Sequence, residues 1–169
     1  VLIASVDFTS PQVVELVNSE IPTVTIDYQF GDKSSVVSDN VEGQYELTKF
    51  VLERGHRKIG LIHGEMTLVT KKRLNGFRRA LKEYGVELNP MYEKVGAFHD
   101  TKRTAEAVHE LMTLPEPPTI LMCPDDYAAL GALTELEKMG LRIPEDISIT
   151  GYDGINLSQV LRPKLTTYF

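Results

Sequence analysis

The sequence predicts an α/β protein whose parallel sheets are doubly wound, with helices on both faces. Short unbroken apolar runs such as LIASV (2–6), KIGLIHG (58–64) and TILMC (119–123) have the character of strands buried on both sides. Segments of ten or more residues with helical apolar spacing separate most of them. The connections are short, with neither low-complexity tracts nor internal repeats. Strands that alternate with helices in this way form βαβ units.

The elements follow in order. After the strand at 2–6, Ser10 and Pro11 open a helix, with Ser10 as N-cap and Pro11 at the first helical position. PTVTID (22–27) is the next strand, followed by a loop containing Gly31 and a short strand near 36–38. Asp39 starts a second helix, and DNVE (39–42) has capping-box spacing. Leu47, Phe50 and Val51 share a face of that helix, and Gly55 ends it. A third helix carries Leu74, Phe77, Leu81 and Tyr84 and stops at Gly85. Within it Gly76 costs about 1 kcal/mol relative to Ala, for which close packing of the helix on the sheet is the expected reason. Strands at 91–98, 119–123 and 147–153 alternate with helices at 103–113 and 126–139.

Composition narrows the function classes. The 169-residue chain is 42% hydrophobic and 25% charged, enough for a core and typical of a globular domain. Its net charge of −6, with dispersed basic residues, suits neither phosphate-backbone contacts nor nucleic-acid binding by these residues. No apolar run reaches the ~18 residues a membrane helix needs. The single cysteine, Cys123, rules out a disulfide framework or thiolate cluster and reads as a core thiol. His56 and His63 lack a partner at metal-ligand spacing, so no metal or other cofactor is expected. The chain lacks a G-x-S-x-G elbow, a Walker loop and a G-x-G-x-x-G turn, and is read as a non-enzyme.

In an open parallel sheet, ligands bind beyond the carboxyl ends of the strands. The candidates there are Asp27, His63, Phe98, Asp125, Asp126 and Asp153, together with Arg73 early in the third helix. Most have a plainer reading. Asp125 or Asp126 would serve as a helix cap. Arg73 would belong to a solvated basic face with Lys71 and Lys72, Phe98 would pack in the core, and Asp27 would form a turn.

Five strings bear on that choice: GHRKIG (55–60), RLNGF (73–77), PDDYAALGAL (124–133), GLRIPEDISITGYDG (140–154) and RPKLTT (162–167). In this order and spacing the chain, from about 22 to 167, resembles the effector-binding core of the LacI/GalR family of bacterial transcription regulators. The resemblance implies a periplasmic-binding-protein-like fold. Residues 39–153 would form one nearly complete lobe, residues 1–38 part of the other, and 154–169 the crossover back to it. The chain then reads as a fragment lacking the DNA-binding head, and its outlying strands are expected to expose apolar surface.

The resemblance also assigns roles. Arg73 of R-x-x-G-F would point into the effector cleft, where its five fixed donors suit vicinal hydroxyls or a carboxylate. Asp126 would contact the ligand, while Asp125 stands where the family has Asn, leaving its role open. Phe98 would stack on the effector, Asp27 would face the cleft from the other lobe, and His63 would line it. Tyr152 and Asp153 fall in the family's G-[YF]-D turn as hinge or pocket residues. The implied function is a sensing and dimerisation module of a cytoplasmic regulator, expected to be a repressor. Its effector would be a small hydroxylated molecule, a sugar first and a nucleobase second, and a missing N-terminal domain would read operator DNA. A transporter's solute-binding protein shares the fold and is the alternative.

Overall fold

The computed structural model describes residues 1–4 and 8–169, so the end of the strand expected at 2–6 lies outside the described residues. The chain divides into two compact units, Val1–Asp39 and Asn40–Phe169. The segment 154–169, expected as a crossover to the first lobe, groups with the larger unit.

The smaller unit holds β1 (Leu2–Ala4), α1 (Pro11–Asn18), β2 (Val24–Ile26) and β3 (Ser35–Val36), with the strands parallel in the order β1-β2-β3. Ile3, Phe8 and Val17 form its small core. The Phe8 and Tyr28 rings stack 4.9 Å apart. Leu2 is 72% exposed and Val36 is also exposed, as a small sheet with little cover would leave them. Pro11 does start α1, but the Ser10 side chain makes no capping hydrogen bond; the backbone entry is extended and the proline sets the first turn.

The larger unit runs α2 (Asn40–Glu53), β4 (Ile59–His63), α3 (Leu68–Glu83), a 3₁₀ turn (Pro90–Tyr92), β5 (Glu93–Val95), α4 (Thr101–Met112), β6 (Ile120–Met122), α5 (Asp126–Lys138), β7 (Ser148–Thr150) and α6 (Asn156–Val160). Its four strands are parallel in the order β5-β4-β6-β7. Thr166 bridges Thr150 in parallel, so the end of the chain flanks β7.

Side chains on each strand alternate between the two faces. Leu61, Ile120 and Met122 pack with Leu47, Val51, Leu74 and Phe77 of α2 and α3. Ile62, Leu121 and Ile149 pack with Val108, Leu111, Ala128 and Leu136 of α4 and α5. Helices therefore cover both faces, as the apolar runs predict. Gly55, Gly85 and Gly140 follow their helices with positive φ, the conformation glycine tolerates best after a helix.

Two expectations change. Phe50 is exposed, and its ring lies under the Arg54 guanidinium at 3.2 Å; one residue's rotation, about 100° from Val51, takes it off the face shared by Leu47 and Val51. Gly76 packs against a helix and not the sheet: a Cβ there would strike the Val41 carbonyl and come within 2.9 Å of the Tyr45 nitrogen, so the glycine allows α2 and α3 to cross closely.

Candidate functional site

β5 lies on one side of β4 and β6 on the other, so the order of connection reverses between β4 and β6. That topological switch point is where a crevice opens beyond the strand ends. A small cavity, about 20 Å³, opens there. Leu61, Leu74, Phe77 and Phe98 form apolar walls, and Gln44, His63, Thr70 and Arg73 supply the polar ones.

α3 delivers Arg73. Thr67 caps that helix by accepting from the Thr70 N–H at 3.2 Å, and Arg73 lies in the second turn. Its Nε donates to Asn40 Oδ1 at 2.8 Å. One terminal nitrogen donates to the Pro124 carbonyl at 2.6 Å, and the other lies 3.4 Å from Asp153 Oδ1. The guanidinium also stacks 3.6 Å from the centroid of Tyr152 and 5.7 Å from that of Phe98. Arg73 thus joins α2, the turn after β6 and the turn after β7, with its side chain 15% exposed. The plainer reading, a solvated basic face, does not describe it.

His63 ends β4 and is buried at the cavity wall. Its Nδ1 lies 2.7 Å from the Gly64 carbonyl, an acceptor, so Nδ1 carries the hydrogen. Nε2 is 3.5 Å from Glu93 Oε1. Phe98 covers Gly64 closely enough that a Cβ at 64 would meet its ring.

The paired aspartates divide their work. Asp125 Oδ1 accepts from the Ala128 N–H at 2.7 Å and caps α5. Its Oδ2 accepts from the backbone N–H of His99 at 2.7 Å, holding the turn beside Phe98, where His99 has φ +56. Asp126 is 1% exposed and does not line the cavity. Its Oδ1 accepts from Thr167 Oγ1 at 2.6 Å and its Oδ2 from the Ile155 N–H at 2.8 Å, so it ties the end of the chain to α5. The carboxylate that meets Arg73 is that of Asp153, a residue expected at a hinge or pocket. Asp153 has φ +100.

Burial pushes the carboxyls of both Asp126 and Asp153 up. For Asp126 the Thr167 and Ile155 hydrogen bonds counter it; for Asp153 the Arg73 charge does, while Asp125 and Asp126 add to the rise. Burial likewise raises the thiol of Cys123, which borders the cavity.

The structure therefore gathers Arg73, His63 and Phe98 at one cavity, with Tyr152 and Asp153 against Arg73. Asp27 belongs to the smaller unit, exposed at the end of β2 with φ +66, its N–H donating to the Val36 carbonyl at 2.8 Å. Sequence reasoning missed Asn40, Gln44 and Thr70. Asn40 and Gln44 lie on α2, four and eight residues past the end of β3, and no local signal marks them. Among the described residues no group of His, Cys, Asp and Glu is arranged to hold a metal ion, and no helix is long and apolar enough to cross a membrane.

Residues 48–168 match the family model described as a periplasmic binding protein-like domain. The chain is 41% identical over 151 residues to the HTH-type transcriptional repressor PurR of Haemophilus influenzae, covering 88% of the chain and 45% of that protein. It is 38% identical over 150 residues to the repressor CytR of Escherichia coli, covering 88% of the chain and 40% of CytR. It therefore spans less than half the length of either relative. A LacI-family regulatory protein from Chloroflexus aggregans superimposes with a TM-score of 0.89 at 25% identity, covering 98% of this chain and 60% of that one. A transcription regulator from Lactobacillus plantarum gives 0.88 at 26%, covering 98% and 63%.

Proposed function

The chain belongs to the LacI/GalR family of transcription regulators through its periplasmic-binding-protein-like domain, and from that premise we propose that it is the effector-sensing module of a cytoplasmic repressor. It binds a small molecule at the cavity beside Arg73 and carries out no catalysis. A homodimer and an N-terminal operator-reading domain complete the regulator, and the effector shifts the protein between two states of different operator affinity. The alternative, a transporter's solute-binding protein, has less support, since the relatives named above are repressors.

The observation that carries the reading is Arg73 itself. A half-buried cation sits at the switch point, fixed by Asn40, Pro124 and Asp153, and borders a cavity with polar and apolar walls. A few fixed polar groups in a mostly apolar pocket are what orient a small ligand. A sugar is the first reading, because Arg73, Gln44 and Thr70 offer hydroxyl partners. A nucleobase is the second, favoured by the apolar walls and the Phe98 ring.

A thermal-shift screen of the intact protein against free sugars and nucleobases tests this. A binder present at 100 times its dissociation constant stabilises by about 2.7 kcal/mol. A panel in which no sugar and no nucleobase shifts the transition contradicts the reading.

A further inference from the structure

We propose that the Arg73 site selects an uncharged effector, and that Asp153 is the residue that turns away phosphorylated and carboxylate-bearing molecules. This deepens the reading above and relies on it for the location of the site.

Two features near the cavity would ordinarily attract an anion. One is the Arg73 guanidinium, and the other is the N-terminus of the 13-residue helix α5. Each already has a carboxylate from the protein. Asp153 Oδ1 lies 3.4 Å from the Arg73 terminal nitrogen. Asp125 caps α5 through the Ala128 N–H at 2.7 Å, and Asp126 sits buried in its first turn. One carboxylate thus meets the guanidinium and two stand at the start of α5.

The nearby imidazoles each face a carboxylate. His63 faces Glu93 at 3.5 Å, and His99 Nδ1 lies 3.4 Å from Asp125 Oδ2. Burial raises the Asp153 carboxyl and the Arg73 charge opposes the rise, while Asp125 and Asp126 add to it. An incoming anion must displace Asp153 or lie beside it, and like charges brought together cost enough to change partners. A neutral hydroxyl or carbonyl meets no such barrier. Three of the five guanidinium N–H groups are directed at Asn40, Pro124 and Asp153, and the others remain for it.

The test uses inorganic phosphate as the probe, on the intact protein, with binding followed by calorimetry and by ³¹P line width. Asp153→Asn removes the charge, keeps the shape, and Asn tolerates the positive φ of this position. We expect no phosphate binding to the unmodified protein in the low millimolar range and a gain of about tenfold or more in Asp153→Asn. Adding Arg73→Ala should abolish the gain. Should Asp153→Asn fail to fold, Asp153→Gly removes the same charge at a φ that glycine accepts. Phosphate binding by the unmodified protein as tight as by the variant overturns the proposal. So does a folded variant that gains nothing, or a gain that survives loss of Arg73. Because phosphate is not the effector, these outcomes stand apart from the sugar and nucleobase screen, whose failure would strike the effector reading alone.

Discussion

The guanidinium of Arg73 lies over the Tyr152 ring, 3.6 Å from its centroid, while reaching the carboxylate of the next residue, Asp153, at 3.4 Å. One side chain from α3 thereby holds two consecutive residues of the turn that follows β7. The same guanidinium holds the Pro124 carbonyl in the turn after β6. A ligand that draws on Arg73 must act on the ends of two neighbouring strands together, which gives a physical route from effector to conformation.

Arg73→Lys tests the clamp without a ligand. Lysine keeps the charge but loses the planar fork and the stacking surface. It cannot satisfy Asn40 Oδ1, the Pro124 carbonyl and Asp153 together. Buried acceptors left without donors cost about 1–3 kcal/mol, and chemical denaturation should show a loss of that size. A variant as stable as the parent would mean the clamp contributes nothing.

Gly76→Ala should destabilise the larger unit. Alanine gains about 1 kcal/mol in helix propensity. The added methyl, however, meets the Val41 backbone carbonyl, which cannot move without shifting α2. Overpacking of this kind costs about 1–3 kcal/mol, so the thermal midpoint should fall. A rise in the midpoint would show that the helices separate freely.

Asp126→Ala leaves the Thr167 hydroxyl and the Ile155 N–H without their acceptor. The expected loss is about 1–3 kcal/mol for each group left unsatisfied. Amide exchange should quicken first around 155 and 166–168, where the carboxylate holds the chain. Unchanged exchange there would remove Asp126 from this role.

The order of strands and helices in the larger unit was legible because buried parallel strands are unbroken apolar runs and their helices keep a 3.6-residue period. The short α6 (Asn156–Val160) was not, since five residues show no period. Arg73, His63 and Phe98 could be picked from strand ends and from R-x-x-G-F. The division between Asp126 and Asp153 could not. The partners of Asp126 lie 29 and 41 residues away, and the partner of Asp153 lies 80 away, so only the folded chain decides which carboxylate meets the arginine. Gly76 was legible as a close approach, but its neighbour was not.

Acid should weaken the loop before β7 through Asp146. Arg142 donates to it from its backbone N–H and from Nε, both to Oδ2 at 2.9 Å, and from a terminal nitrogen to Oδ1 at 2.8 Å. These bonds hold the carboxyl down from 3.8 to about 2. With the folded value below the unfolded one, the stabilisation is present above about pH 4 and is lost as pH falls toward 2. Carboxyl NMR titration should give that low value, and Asp146→Asn should remove this part of the acid sensitivity. A midpoint near 3.8 would contradict it.

The most direct test of Arg73 as the effector's anchor is calorimetry of Arg73→Ala with whichever sugar or nucleobase binds the intact protein. Hydrogen bonds to a charged group contribute about 1.5–3 kcal/mol, so affinity should fall roughly 10- to 150-fold in a protein that remains folded. An unchanged dissociation constant in the folded variant would contradict the assignment of the site.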